Sequence, residues 1–566
     1  RSRGLYSERE GADPYVYTFF EPLDACRAFP CFDEPAYKVP WQLTLHVPAD
    51  HQALGNAPVA REVAEADGMK RVELAPTPPL PSYLVAFVVG PFEVIDGGRA
   101  GRRATPIRFV IPKGRAGELG YAREVTPKVV AALEQYFDMD YPFTKLDVAV
   151  VPRYWGTMEH PGLVAMGQPL TLIRPDQATR NRKRGYANIL AHELSHYWFG
   201  DLVTMAWWDD TWLNEALGEW SDMNITEAAE PSWRVRDGIV SQAVGAMAAD
   251  ETLATHPIRR PIETLEAIEG SFDNDITYFK GAAVFRMFEA YVGAPAWQRM
   301  IRRYLADHAW ANATAEDFLA AVARDLGAPI AAALRTFLDQ PGVPQLTGTV
   351  TCAAGQRPTL ALRQRRALPA GTVDPVARRW QVPVCVRYGD DRTSGRQCAL
   401  LTEAEAQVPL ADAAPGSCPR WLLLNADGVG YYRSTIDPRG ARALLAATSP
   451  AARRARPSVA ERLMLISDVR AAVDRDELGL DEAAALVPVI AADPDDRVAA
   501  AATAVVRLPL SGLDDALYAA GVRWYVRAIG PRARALGWRR APTDSEERHE
   551  LRQAYVPAIA REDAAL

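Results

Sequence analysis

In the stretch WQLTLHV, residues 41 to 47, apolar and polar positions alternate, which puts Trp41, Leu43, Leu45 and Val47 on one face of a strand. Further strand candidates follow in MKRVELAPTPPLPSYLVAFVVGPFEVI, broken by prolines. No helical period shows in residues 1–95, which predicts a β domain there. From 96 to 341 the pattern is mixed and mostly helical. TPKVVAALEQYF sets Val129, Leu133 and Tyr136 on one helical face, and LDVAVV reads as a short buried strand. TAEDFLAAVARDLGAP opens at Thr314 with Asp317 three residues on and closes at Gly327. DQPGVPQL then breaks the helical pattern. Short β runs (TGTVTC, PTLALRQ, WQVPVCVRY, RWLLLN) predict a small β-sandwich over 342–436. The remainder, 437–566, is Ala- and Leu-rich and helical, with a capping-box spacing at Ser458 and Glu461. The expectation is a multidomain α+β chain in the order β, α-rich, β, α.

A length of 566 residues fits several domains, and 48% hydrophobic with 24% charged residues is a globular composition. The net charge of −7 gives no basic field for nucleic acid, and no apolar run approaches the ~18 residues of a membrane helix. The chain starts at Arg1, and RSRGLYSEREG has no apolar core, so it does not read as a signal peptide. Four of the six cysteines, Cys352, Cys385, Cys398 and Cys418, fall in the sandwich region, and none of the six forms a CxxC pair. They read either as buried thiols or as disulfides of an extracytoplasmic protein. We expect at least one disulfide among these four, with the pairing open, and an extracytoplasmic location (periplasmic, secreted or membrane-anchored), the alternative being cytoplasmic.

The chemistry concentrates in AHELSHYWFGDLVTMAWWDDTWLNEALGEW, residues 191 to 220. His192 and His196 are i and i+4, so on a helix both imidazoles share one face about 6 Å apart along the axis. Two nitrogens can then reach one zinc ion, and Glu193 beside them can reach water at that ion without ligating it. A catalytic zinc wants three protein ligands, and Glu215, on a second predicted helix, supplies the third. The expected cofactor is one zinc per chain. The tryptophans and Phe199 between the two helices are then the core that holds the ligands. The competing reading is a buried helix with hydrogen-bonded histidines.

These residues resemble the HExxH-x18-E signature of the M1 (gluzincin) zinc aminopeptidases, the aminopeptidase N family. GTMEH, residues 156 to 160, is similar to the family's GxMEN motif; TYFKGAAVF is similar to its catalytic-tyrosine stretch; TFFEPLDACRAFPCFDEPAYK and WLLLNADGVGYYRS also resemble family segments. The resemblance covers roughly residues 4 to 470. Phe19, His160, Pro161, Asp201, Ala216 and Leu217 depart from the family pattern, and none is a metal ligand. Family members carry further residues before this start, so the resemblance implies a truncated N-terminal β domain followed by a thermolysin-like catalytic domain.

The resemblance implies a zinc aminopeptidase that removes N-terminal residues from peptides. Glu193 would be the general base and Tyr278 the oxyanion donor; Glu159 and Glu21 would hold the substrate's free amine, with Gly156 and Met158 beside them. Glu219, one turn after Glu215, is either a partner of a ligand or a solvated charge. The alternatives are an epoxide hydrolase of the leukotriene A4 hydrolase kind and a non-catalytic scaffold on the same fold.

Overall fold

A computed structural model describes residues 3–154, 156–233, 235–390, 394–446, 456–505 and 514–560. The chain divides into two compact units. The first is Arg1–Arg236 with Ile258–Phe285 and Val292–Ala332; the second is Asp237–Pro257 with Arg286–Tyr291 and Ala333–Leu566.

The first unit begins with two antiparallel sheets. One orders Gly4–Glu10, Asp13–Phe19, Phe87–Gly90 and Gln52–Gly55; the other sets Met69–Leu74 between Thr44–Pro48 and Val59–Ala64. The alternation read at 41–47 holds. Val47, Leu43 and Leu45 pack in one small core and Trp41 in the next, although the strand itself starts at Thr44. A five-stranded mixed sheet follows in the order Thr157–Met158, Leu163–Gly167, Leu146–Val151, Thr105–Ile111, Glu93–Ala100. LDVAVV lies at its centre with all six residues buried, because parallel neighbours flank it on both sides. Glu93–Ala100 runs through residues 95 and 96, so the boundary expected there falls inside a strand.

Helices Gly120–Phe137, Arg180–Ser195 and Trp212–Ala229 pack against one another. The first starts earlier than its apolar period suggested, and its buried face includes Val129 and Leu133. The aromatic stretch is core apart from Trp207, which is half-buried and donates its indole N–H to the Ile262 carbonyl. Trp198, Trp208, Trp212 and Trp220 are all buried; Trp198 and Phe199 meet Phe137, and Trp220 meets Trp297. The helix Ala315–Leu326 has the capping box of Thr314 and Asp317 and ends at Gly327.

In the second unit, strands Glu405–Pro409, Thr359–Ala367, Val343–Thr351 and Arg433–Ser434 form one sheet, and Ser394–Leu401, Val382–Gly389 and Trp421–Leu423 another. A Cβ at Gly348 of the first sheet would stand 2.4 Å from Leu424 just past the second, so glycine is needed for the close approach. The cysteines pair as Cys352–Cys418 and Cys385–Cys398; the latter two stand opposite each other on neighbouring strands. The helices after Pro438 bury one apolar cluster, and Ser458 with Glu461 caps Val459–Asp474. Among the described residues no helix is long and apolar enough to cross a membrane.

Candidate active site

The helix Arg180–Ser195 is capped by Thr179 and delivers His192, Glu193 and His196 at its C-terminal end. His196 Nδ1 lies 3.0 Å from the carbonyl oxygen of Phe199. A proton on Nδ1 donated there leaves Nε2 free as a ligand. Glu219 Oε2 stands 3.4 Å from His192 Nδ1, an ion-pair contact and not a hydrogen bond, and Glu219 is buried, so this carboxylate faces the first histidine and is not a solvated charge.

Glu215 comes from the first turn of Trp212–Ala229. Its Oε2 lies 3.6 Å from His192 Nε2 and 3.4 Å from His196 Nε2, and the two Nε2 atoms are 3.1 Å apart. Three ligand atoms on a tetrahedral zinc with bonds near 2.0–2.1 Å stand roughly 3.3–3.4 Å apart. The donor triangle therefore has the size of a zinc site. Its electrostatics agree. Burial disfavours an imidazolium, yet Glu159 and Glu215 hold His196 up at about 9, and Glu215 and Glu219 hold His192 well above its ordinary range. Burial pushes Glu215 up, but His196 and His192 outweigh it and hold the carboxylate at about 2. The pocket draws positive charge to this point, and a dication answers that demand. Gly218 makes the approach possible: a Cβ there would sit 3.2 Å from atoms of both histidine rings.

Glu193 is buried, and burial raises its carboxyl to about 7. The Thr157 hydroxyl donates to Glu193 Oε1 at 2.6 Å and fixes its rotamer. Thr157 was not among the residues singled out from the sequence; it lies inside GTMEH, so the motif held the signal.

Tyr278 lies on a π-helical turn, Asn274–Lys280, where the Gly281 N–H bonds the Ile276 carbonyl five residues back. Such turns recur at functional sites. The Tyr278 ring stacks on His192 with centroids 6.1 Å apart. Burial, then Glu215, Glu21 and Glu159, push the phenol well above its ordinary value, so it stays a donor. Gly281 sets this turn against the Glu215 helix, since a Cβ there would stand 2.4 Å from that of Ala216. If Tyr278 is the oxyanion donor that the family resemblance implies, Tyr278→Phe should keep the fold and lower kcat on a peptide substrate by roughly 10²–10³-fold. A loss confined to KM would make Tyr278 a binding residue instead.

A cavity of about 470 Å³ opens over these groups, lined among others by Phe19, Glu21, Met158, Glu159 and Phe272. Glu21, Glu159 and Glu215 each offer a carboxylate oxygen within 4.8 Å of the others. Burial raises Glu21 strongly, with Glu159 the next cause, and burial also raises Glu159. Glu159 Oε1 is buried without a hydrogen-bond partner among the described residues. Like charges crowded this way invite a cation.

Of the residues expected here, Gly156 is not part of the cavity wall; a Cβ on it would stand 2.4 Å from the Tyr154 hydroxyl, so glycine leaves room for that side chain. His160 is buried beneath the site, and burial lowers it to about 3, which keeps it neutral. Asp201 is also buried, its carboxyl raised by burial and then by Glu159. The Lys38 ammonium donates to the carbonyls of Asp201, Leu202 and Ala311 and ties down the turn after the second histidine.

Comparison with known proteins agrees with this geometry. Residues 121–339 match the Peptidase family M1 domain, residues 1–84 the Peptidase M1 N-terminal domain, and residues 421–565 the ERAP1-like C-terminal domain. Aminopeptidase M1 of Arabidopsis thaliana is 32% identical over 79% of this chain and 50% of its own length. Puromycin-sensitive aminopeptidase of Caenorhabditis elegans is 31% identical over 83% of the chain and 49% of its own. Glutamyl aminopeptidase of Homo sapiens is 29% identical over 95% of the chain and 55% of its own. The chain thus spans about half the length of the curated relatives it matches. Three profiles of one peptidase family, falling in order along a chain with this donor set, lead to one assignment: the chain belongs to peptidase family M1.

Proposed function

We propose that the protein is a zinc-dependent aminopeptidase that removes N-terminal residues from peptides. The observation that carries the reading is the overlap of two cation-seeking sets. His192, His196 and Glu215 form one, Glu21, Glu159 and Glu215 the other, and they share Glu215. The first fits zinc; the second fits an ammonium one residue away from it. An α-amine with a pKa of about 7.7–8.0 is mostly cationic at neutral pH.

A zinc ion held by the first set supplies Lewis acidity, lowering the pKa of water and polarising a carbonyl. Glu193 takes the proton of the attacking water and passes it to the leaving amine; a carboxylate poised near neutrality suits both transfers. Tyr278 donates to the developing oxyanion. Glu159 and Glu21 accept hydrogen bonds from the ammonium and set the distance from chain end to scissile bond. Thr157–Met158 is an edge strand, so its outer backbone groups can pair with an extended substrate. The complete donor set weighs against a non-catalytic scaffold.

Glu159→Ala tests the amine site. A hydrogen bond to a charged group contributes about 1.5–3 kcal/mol, so kcat/KM on a free-amine dipeptide should fall roughly 10–150-fold with zinc retained. Unchanged kcat/KM would remove Glu159 from amine recognition.

The two disulfides support an extracytoplasmic location, where such bonds persist. Native unreduced protein should titrate two thiols, Cys26 and Cys31. A count of all six cysteines would withdraw that support.

A further inference from the structure

We propose that the second unit carries a binding site for a small oxyanion, a carboxylate or phosphate borne on an apolar group. A cavity of about 520 Å³ lies beside the strands Val343–Thr351 and Thr359–Ala367 and the loop that follows them. Its wall holds Arg365, Arg366, Arg378 and Arg475 against only two carboxylates, Asp374 and Glu477. Four positive and two negative groups leave +2, in a chain whose net charge is −7.

Both carboxylates are already shared. Asp374 accepts from Arg366 Nη1 at 2.6 Å and from Arg378 Nε at 3.1 Å. Glu477 accepts from Gln345 Nε2 at 2.7 Å and from Arg365. Arg475 has ion-pair neighbours but no hydrogen bond among the described residues. Its side chain is 2% exposed, and none of its three guanidinium nitrogens has a hydrogen-bond partner among the described residues. Its ion-pair neighbours stand off: Glu477 Oε2 at 3.3 Å from Nε, and Glu251 Oε2 at 3.7 Å from Nη1, with Glu251 also engaged by Arg433. A buried guanidinium whose five N–H groups are met by ion-pair neighbours but by no hydrogen bond among the described residues is under-satisfied, and an oxyanion is the ligand whose paired acceptors match that planar fork. Arg366 Nε adds a second buried donor without a hydrogen-bond partner among the described residues. Beside this charged floor, Val373 is 79% and Val376 50% exposed on the loop that walls the cavity, which is the lip an apolar group would cover.

Calorimetric titration of the whole chain in low-chloride buffer with hexanoate, acetate and inorganic phosphate tests the site. We expect saturable binding. Hexanoate tighter than both acetate and phosphate identifies an apolar carboxylate as the ligand, and phosphate tighter identifies a phosphate group. Arg475→Gln should weaken binding about tenfold or more, the scale of a lost charge-assisted hydrogen bond. Arg378→Gln, at a side chain 23% exposed, gives the same test should loss of Arg475 unfold the protein. No saturable binding of any of the three anions, or binding unchanged in every folded variant, overturns the proposal.

Discussion

Glu193→Gln should purify with its zinc and lose hydrolysis by roughly 10²–10⁴-fold, the usual cost of a missing general base. The amide is nearly isosteric and can still accept from the Thr157 hydroxyl, which lies 2.6 Å from Glu193 Oε1, so the local packing stays. What it cannot do is take a proton. The reasons the native carboxylate can are visible around it: burial first raises it to about 7, the nearby Glu159 adds to that, and the imidazoles oppose it. The loss should therefore fall in kcat, with zinc content and melting temperature near those of the parent. A variant with near-normal kcat would take the base role away from Glu193.

The second large effect belongs to the metal. His196→Ala should lose stoichiometric zinc, and hydrolysis should fall by at least about 10³-fold, the several kcal/mol that a Lewis acid contributes. Elemental analysis of the parent after dialysis should find one zinc per chain. Zinc affinity should also weaken as pH falls, and the sign follows from the ligands. His196 held at about 9 and His192 raised by its carboxylates bind protons in the metal-free site, so zinc binding must release them. If His196→Ala kept both full zinc and full activity, the ligand assignment would be wrong.

Much of this site was legible in the chain, for reasons that differ by residue. His192 and His196 announce themselves because i and i+4 share a helix face, and Glu215 because a third donor completes a zinc set. The aromatic residues between them were readable as core because a charged site needs a rigid, dry support. Tyr278 was reached only by family resemblance: a π-helical turn has no apolar period, and its hydroxyl meets the site only through tertiary packing. Thr157, Gly218 and Gly281 were missed for the same reason, since their parts are a contact to Glu193 and close approaches to His192 and Ala216 from distant segments. The β runs of the sandwich were visible by composition. Their partners Ser394–Leu401 and Glu405–Pro409 were not, being half-exposed strands without a strong apolar face. The disulfide pairing was open among three choices until strand register put Cys385 opposite Cys398.

The most direct test of the account compares kcat/KM for one amino-acid anilide with a free amine against its N-acetyl derivative, on the zinc-loaded protein. Acetylation removes the ammonium that Glu159 and Glu21 would hold under the proposed function, and it adds an acetyl group in the cavity they line with His192, His196 and Glu215. The account predicts that hydrolysis of the acetylated compound nearly vanishes, and that Glu159→Ala, costly on the free amine, adds nothing further on the acetylated one because no ammonium is left to lose. Equal rates on the two substrates would contradict it.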